Sequence, residues 1–166
     1  MKLYDCLMYF NEDLALEIRL NTLNKYVDKF IIAEATTTHA GIEKKLKFNL
    51  NNFSKFKDKI DYIIVDDMPK NTGSYKKDWA DDHIRDQFQR NALARGLKNT
   101  SDEDLIMISD LDEIPNPKKI KEFNIKNKYA CFMQKNFHLK LNLMNISSQD
   151  WMGTKICQKK YLKSPQ

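Results

Sequence analysis

A short apolar run that breaks off in carboxylates constrains this chain most. Leu105, Ile106, Met107 and Ile108 are too few for an independent helix and read as a buried strand, with Asp110 and Asp112 following at its C-terminal end. Side chains two apart in extended backbone project the same way, so both carboxylates converge on one point while Leu111 turns into the core. Pro115 biases Ile114 toward extended backbone and stops a helix from starting there. Open α/β sheets bind ligands outside the carboxyl ends of their strands. Two hard oxygen ligands at such a place suit Mg²⁺ or Mn²⁺, with a phosphate completing the shell. The same spacing also serves as a plain turn or helix cap, so the metal reading depends on its surroundings.

The chain leading to this strand alternates strand and helix. Residues 2–10 alternate and are rich in Leu, Tyr and Phe, as expected of a first, central strand. Asn11 suits a helix N-cap, with Glu12 and Asp13 in the first turn, where the helix dipole favours acids. Leu16, Leu20, Leu23 and Val27 then form one apolar stripe at helical spacing. Residues 29–34 form a second strand ending in Glu34, followed by a polar loop containing His39 and Gly41. Strand, helix and strand with short joints make a βαβ unit, so these two strands are expected to be parallel.

Residues 46–56 are ambiguous: Phe48, Leu50, Phe53 and Phe56 could serve a short strand and then a helix. Residues 60–65 read as a third strand ending at Asp66 and Asp67, and residues 70–78 as a loop without periodicity. Residues 79–97 read as the longest helix, with Ile84, Phe88 and Ala92 on its buried face and Gln87, Arg90 and Asn91 on another. Beyond Pro115 come one or two helical turns over 116–123 and one long or two short strands over 128–143. The expected class is α/β with a mostly parallel central sheet.

A length of 166 residues allows one domain with a real core. No apolar run approaches the roughly 20 residues that span a bilayer. Residues 1–10 carry an acid and no cleavage-type site, so the expected location is cytoplasmic, at most peripheral to a membrane. The three cysteines, Cys6, Cys131 and Cys157, lack metal spacing; Cys6 and Cys131 sit in apolar segments and are expected as buried free thiols.

Charge is unevenly distributed. Residues 61–113 hold seven Lys or Arg against thirteen acids, whereas residues 114–166 hold eleven Lys against Glu122 and Asp150. The acidic middle suits a cation. The basic end suits an anionic ligand, a nucleic acid, an anionic membrane surface or simply a solvated face.

Glu34, Asp66 with Asp67, and Asp110 with Asp112 close successive strands and would line one sheet edge, where a nucleotide would lie. The chain has no Gly-x-Gly-x-x-Gly fingerprint, no Walker-type loop and no Gly-x-Ser-x-Gly elbow. His39, His83 and His138 are isolated and make neither a triad nor a zinc site.

Several stretches together carry a resemblance. They are residues 4–6, 10–12, 17–20, 27–30, 34–36, 38–41, 66–69, 89–92 and 109–115. In that order they resemble the start of glycosyltransferase family 17, over most of the chain. The resemblance implies a GT-A-like, Rossmann-like domain that binds a nucleotide sugar. Residues 1–113 would form the nucleotide-sugar part and residues 114–166 part of the acceptor side.

The implied reaction moves a sugar, N-acetylglucosamine foremost, from a UDP-linked donor to a glycan acceptor. Asp110 and Asp112 would hold Mn²⁺ or Mg²⁺ and the donor diphosphate. Arg90 and Asn91 would face the donor, Asn11, Glu12 and Glu34 would lie at the nucleoside end, and His39 near the donor pocket. Structural alternatives stand beside these roles: Asn11 as a cap, Arg90 as a solvated helix residue, Glu113 as a cap of the next turn. An acceptor hydroxyl needs a general base, and Asp150 is the candidate. His138 is the corresponding candidate for a late metal ligand. The family's pattern continues past residue 166, so a nucleotide-sugar or glycan-binding module without transfer is the alternative. A nucleic-acid binder ranks below it, because basic and aromatic residues interleave only over 128–140.

Overall fold

The computed structural model describes residues 1–70, 79–137 and 143–166. The loop expected at 70–78 and His138 therefore lie outside the described residues, apart from residue 70 itself.

The strands are β1 (Leu3–Met8), β2 (Lys29–Ala35), β3 (Ile60–Val65), β4 (Leu105–Ser109), β5 (Tyr129–Lys135) and β6 (Asp150–Gln158). They form one six-stranded sheet in the order β3-β2-β1-β4-β6-β5. β1 is central and parallel to β2 and β4, and β2 is parallel to β3. The carboxyl ends of these four strands thus share one edge. β6 runs antiparallel to β4 and to β5.

Two apolar layers sandwich the parallel part. One is built on Leu3, Leu7, Phe30, Ile32 and Met107 and receives helix α1 (Asp13–Leu23) through Leu16, Leu20 and Leu23. The other is built on Cys6, Ile31, Ala33 and Ile106 and receives helix α2 (Trp79–Ala92) with the 3₁₀ turn Leu93–Leu97 behind it. A Cβ on Gly96 would lie 2.6 Å from Ile31 Cγ2, so this turn packs onto β2 only without a side chain there.

Several expectations change. β6 falls in residues to which the sequence assigns no element; it is a nine-residue strand inserted between β4 and β5. Its polar positions and Gly153 hide the strand period. The N-cap of α1 is Glu12, without a side-chain cap bond; its carboxylate accepts instead from the N–H groups of Phe10 and Asn11 at 2.9 Å. Val27 is buried but lies beyond the helix end.

Residues Leu50–Lys59 are two 3₁₀ segments joined across a kink at Phe53, the first started by Asn49, whose side chain accepts from the Asn51 N–H. On α2, Ile84 is exposed while Arg85, Gln89 and Ala92 are buried. The inward face is rotated because Arg85 and Gln89 bond to backbone carbonyls beneath it. Cys131 is exposed, whereas Cys6 and Cys157 are the buried thiols.

Candidate functional site

The loop after β4 is held from below by a buried ion pair. Asp5 on β1 and Arg19 on α1 are both fully buried. Arg19 binds Asp5 through both carboxylate oxygens, Nε to Oδ2 at 2.8 Å and Nη2 to Oδ1 at 2.7 Å. Its remaining N–H groups reach the loop. Nη2 donates to Ser109 Oγ at 2.7 Å, and Nη1 to the carbonyls of Asp110, Leu111 and Glu113 at 2.9, 3.0 and 3.3 Å. A buried guanidinium is tolerable only when its charge is paired and its donors are used, and here both conditions hold. Thr154 Oγ1 donates to the Glu113 carbonyl at 2.6 Å from the other side. The turn closes on itself through Glu113 N–H to the Asp110 carbonyl at 3.1 Å. Its backbone is fixed while the side chains of Asp110 and Asp112 stay exposed.

A cleft of about 470 Å³ opens on one side of this loop. Met8, Tyr9 and Phe10 enter it from the end of β1, Thr37, Thr38 and His39 from beyond β2, and Asp86, Gln89 and Arg90 from α2. Arg90 Nη2 lies 2.9 Å from Asp110 Oδ1 and 3.5 Å from Asp86. Gln89 Nε2 donates to the Ala33 carbonyl at 3.0 Å, which leaves Gln89 Oε1 to accept from His39 Nε2 at 2.9 Å. This network assigns the His39 proton to Nε2.

Glu34 lies beneath the cleft wall, fully buried. Its oxygens accept from the Lys44 ammonium, the Lys47 and Phe48 N–H groups and the Tyr62 hydroxyl. Burial alone would raise its pKa, but these donors outweigh burial and hold the carboxyl below the usual glutamate range. Burial and the Glu34 carboxylate in turn push the Tyr62 hydroxyl up. Burial and the Asp13 carboxylate do the same to Tyr9.

Of the residues singled out from sequence, Glu12, His39, Arg90, Asp110 and Asp112 line this cleft together. Glu34 supports it from behind. Asn11 and Asn91 are not on its lining; Asn91 Oδ1 accepts from the Gln166 N–H at 3.2 Å. Asp150 sits on the β5–β6 hairpin, exposed and paired with Lys135 at 2.7 Å. Among the described residues, no group of three His, Cys, Asp or Glu side chains stands in a metal-binding arrangement. Sequence reasoning left Asp5, Arg19, Gln89 and Thr154 without roles. One signal was available: Asp5 and Arg19 are opposite charges on the inward faces of an apolar strand and an apolar helix stripe.

The family model for glycosyltransferase family 17 matches residues 1–154, and the chain belongs to that family. Among curated proteins it is similar to a beta-1,4-mannosyl-glycoprotein 4-beta-N-acetylglucosaminyltransferase from Homo sapiens, 33% identical over 105 residues. The proteins of that name from Rattus norvegicus and Mus musculus are 33% and 32% identical over the same length. These matches cover 60% of this chain but 19% of each relative, so the chain spans about a fifth of their length. Among the described residues, no helix is long and apolar enough to cross a membrane.

Proposed function

We propose that this protein is a GT-A-like glycosyltransferase that moves N-acetylglucosamine from a UDP-linked donor to a glycan acceptor. The observation that carries this reading is the pinned loop. Buried Arg19 fixes its backbone, and Asp110 and Asp112 stand exposed from it at the rim of the cleft that Arg90, His39 and Lys44 also line. Family membership supports the reaction class, and the names of the similar proteins support the choice of N-acetylglucosamine and of a β-mannosyl acceptor.

The residues fit a divalent cation that draws its other ligands from the substrate. Asp110 and Asp112 offer hard oxygens, are both exposed, and have no third protein ligand among the described residues. Bound there, Mg²⁺ or Mn²⁺ would supply Lewis-acid stabilisation of the departing diphosphate.

The chain's own groups do the rest. Arg90, which now neutralises Asp110, is placed to pair with a donor diphosphate. Gln89 orients His39 so that Nδ1 faces the cleft side near Asp86, 4.0 Å away. Lys44, held by Glu34, lines the same cleft and adds a second positive charge. Asp150, the candidate base from the sequence, is paired with Lys135 and lines neither this cleft nor the one beside Trp151; a fall in kcat with donor affinity retained in Asp150→Asn is the result that would assign it that role.

The test is thermal. Mn²⁺ with UDP should raise the melting temperature, and Asp112→Asn should abolish the rise. No rise in the wild type, with its circular dichroism intact, sinks the reading. Nucleotide binding without UDP release in the presence of glycan acceptors would select a binding module instead.

A further inference from the structure

The Trp151–Thr154 stretch takes no part in the nucleotide cleft, yet it is built against the same loop. β5 and β6 pair Cys131 with Lys155 and then Met133 with Met152, so Gly153 and Thr154 face Phe132 alone and form a β-bulge. Bulges of this kind re-aim side chains beside active sites. The amide freed by the bulge is satisfied: the Thr154 N–H donates to Gln134 Oε1 at 2.9 Å. Only glycine allows this at position 153, since a Cβ there would lie 1.5 Å from that oxygen. Two residues before that glycine, Trp151 donates from Nε1 to Glu113 Oε1. The indole is thereby locked beside Asp110 and Asp112.

A second cleft of about 500 Å³ opens on this side of the loop. Trp151 and Phe137 line it with Gln134 and Asn136, and Asp110 and Asp112 belong to its lining as they do to that of the first cleft. Trp151 is 50% exposed and Phe137 47%. Two half-open rings among amides and carboxylates match one ligand chemistry closely. A pyranose lays the C–H groups of one face on an aromatic ring and needs hydrogen-bond partners for its rim of hydroxyls. A purely apolar ligand would leave the amides and carboxylates unpaired. An anionic one would meet Asp110, Asp112 and Glu113 against a single cation, Lys135, whose ammonium is already paired with Asp150 at 2.7 Å.

We propose that this cleft is the acceptor subsite, with Trp151 as the platform for a pyranose ring of the glycan. The proposal rests on the glycosyl-transfer reading and names where its acceptor binds. A sugar here and a nucleotide sugar in the first cleft would meet at Asp110 and Asp112.

The test is a ¹⁵N NMR titration of the full chain with a β-linked manno-oligosaccharide, with and without UDP and Mn²⁺. The Trp151 indole resonance is identified by its loss in Trp151→Phe. It should move saturably. Trp151→Ala should weaken binding about tenfold, and Trp151→Phe, which keeps a ring, by about threefold or less. An indole that does not respond at tens of millimolar, or an affinity that Trp151→Ala leaves unchanged, overturns the proposal. The same sample separates the two readings. Nucleotide-induced shifts at Asp110 and Asp112 with a silent indole remove the acceptor subsite alone. An indole response without nucleotide shifts supports a glycan site and removes the donor reading.

Discussion

Two arginine–aspartate pairs flank the loop of Asp110 and Asp112, and they differ in almost everything but chemistry. Below it, Arg19 and Asp5 are 0% exposed, joined at 2.7 Å, and every remaining donor of the guanidinium goes to the loop. Above it, Arg90 and Asp110 meet at 2.9 Å with side chains 18% and 53% exposed. The lower pair is out of reach of water and ligand, so its energy goes into holding shape. The upper pair is screened, contributes little to stability, and can exchange its partner for an incoming phosphate. One loop is thus made rigid by a charge pair on one face and left chemically open by a charge pair on the other.

The largest effect should come from the lower pair. Arg19→Met strands the buried Asp5 carboxylate and should cost about 3–5 kcal/mol in urea denaturation, with Mn²⁺–UDP binding lost. Adding Asp5→Leu should recover much of that stability, because no charge is then buried unpaired. A single-variant cost under about 1 kcal/mol would erase the contrast between the pairs.

Next in size is the bulge that braces the loop from β6. Gly153→Ala displaces the Gln134 amide, leaves the Thr154 N–H without its acceptor, and should cost about 1–3 kcal/mol. Unchanged stability would mean that the bulge is not a brace.

Glu34 sharpens the comparison through pH. Its folded pKa lies below that of an unfolded glutamate, so near that range the folded chain binds fewer protons. Its contribution is fully present above the ordinary glutamate pKa and is lost as pH falls through that range toward the folded value. Glu34→Gln should therefore flatten the acid side of a stability–pH curve, and an unaltered slope would show that residues 44–48 are held some other way.

The smallest stability effect belongs to the upper pair. Asp110→Asn should shift unfolding by less than about 1 kcal/mol while removing the Mn²⁺–UDP thermal rise. A loss as large as that of Arg19→Met would make the two pairs equivalent.

Much of the fold was legible in the chain. β1 to β4 are apolar runs with distinct ends, and their parallel pairing follows from the βαβ spacing. The exposed carboxylates after β4 were legible as residues, but not their geometry: β4 ends at Ser109, and Asp110 and Asp112 stand on a turn closed by the Glu113 N–H on the Asp110 carbonyl rather than on continued extended strand. β6 was not, because half its positions are polar and a bulge interrupts its period. Nor was the rotation of α2: Ile84 is the more apolar residue, yet Arg85 and Gln89 turn inward to satisfy the backbone around His39 and Ala33. Glu34 reads from sequence as one more strand-end acid facing a ligand. Four donors of its own chain surround it instead.

Hydrophobic period and residue type, both local properties, determine the strands, the first helix and the place where carboxylates accumulate. What each polar group does depends on which partner it meets, and such partners are remote along the chain. Arg19 touches carbonyls 91 to 94 residues away, and Trp151 reaches a carboxylate 38 residues back. No spacing rule encodes these meetings, because they arise only when β1, α1, β4 and β6 are stacked in the sheet order observed. That stacking separates an aspartate that builds the site from one that stands ready to use it.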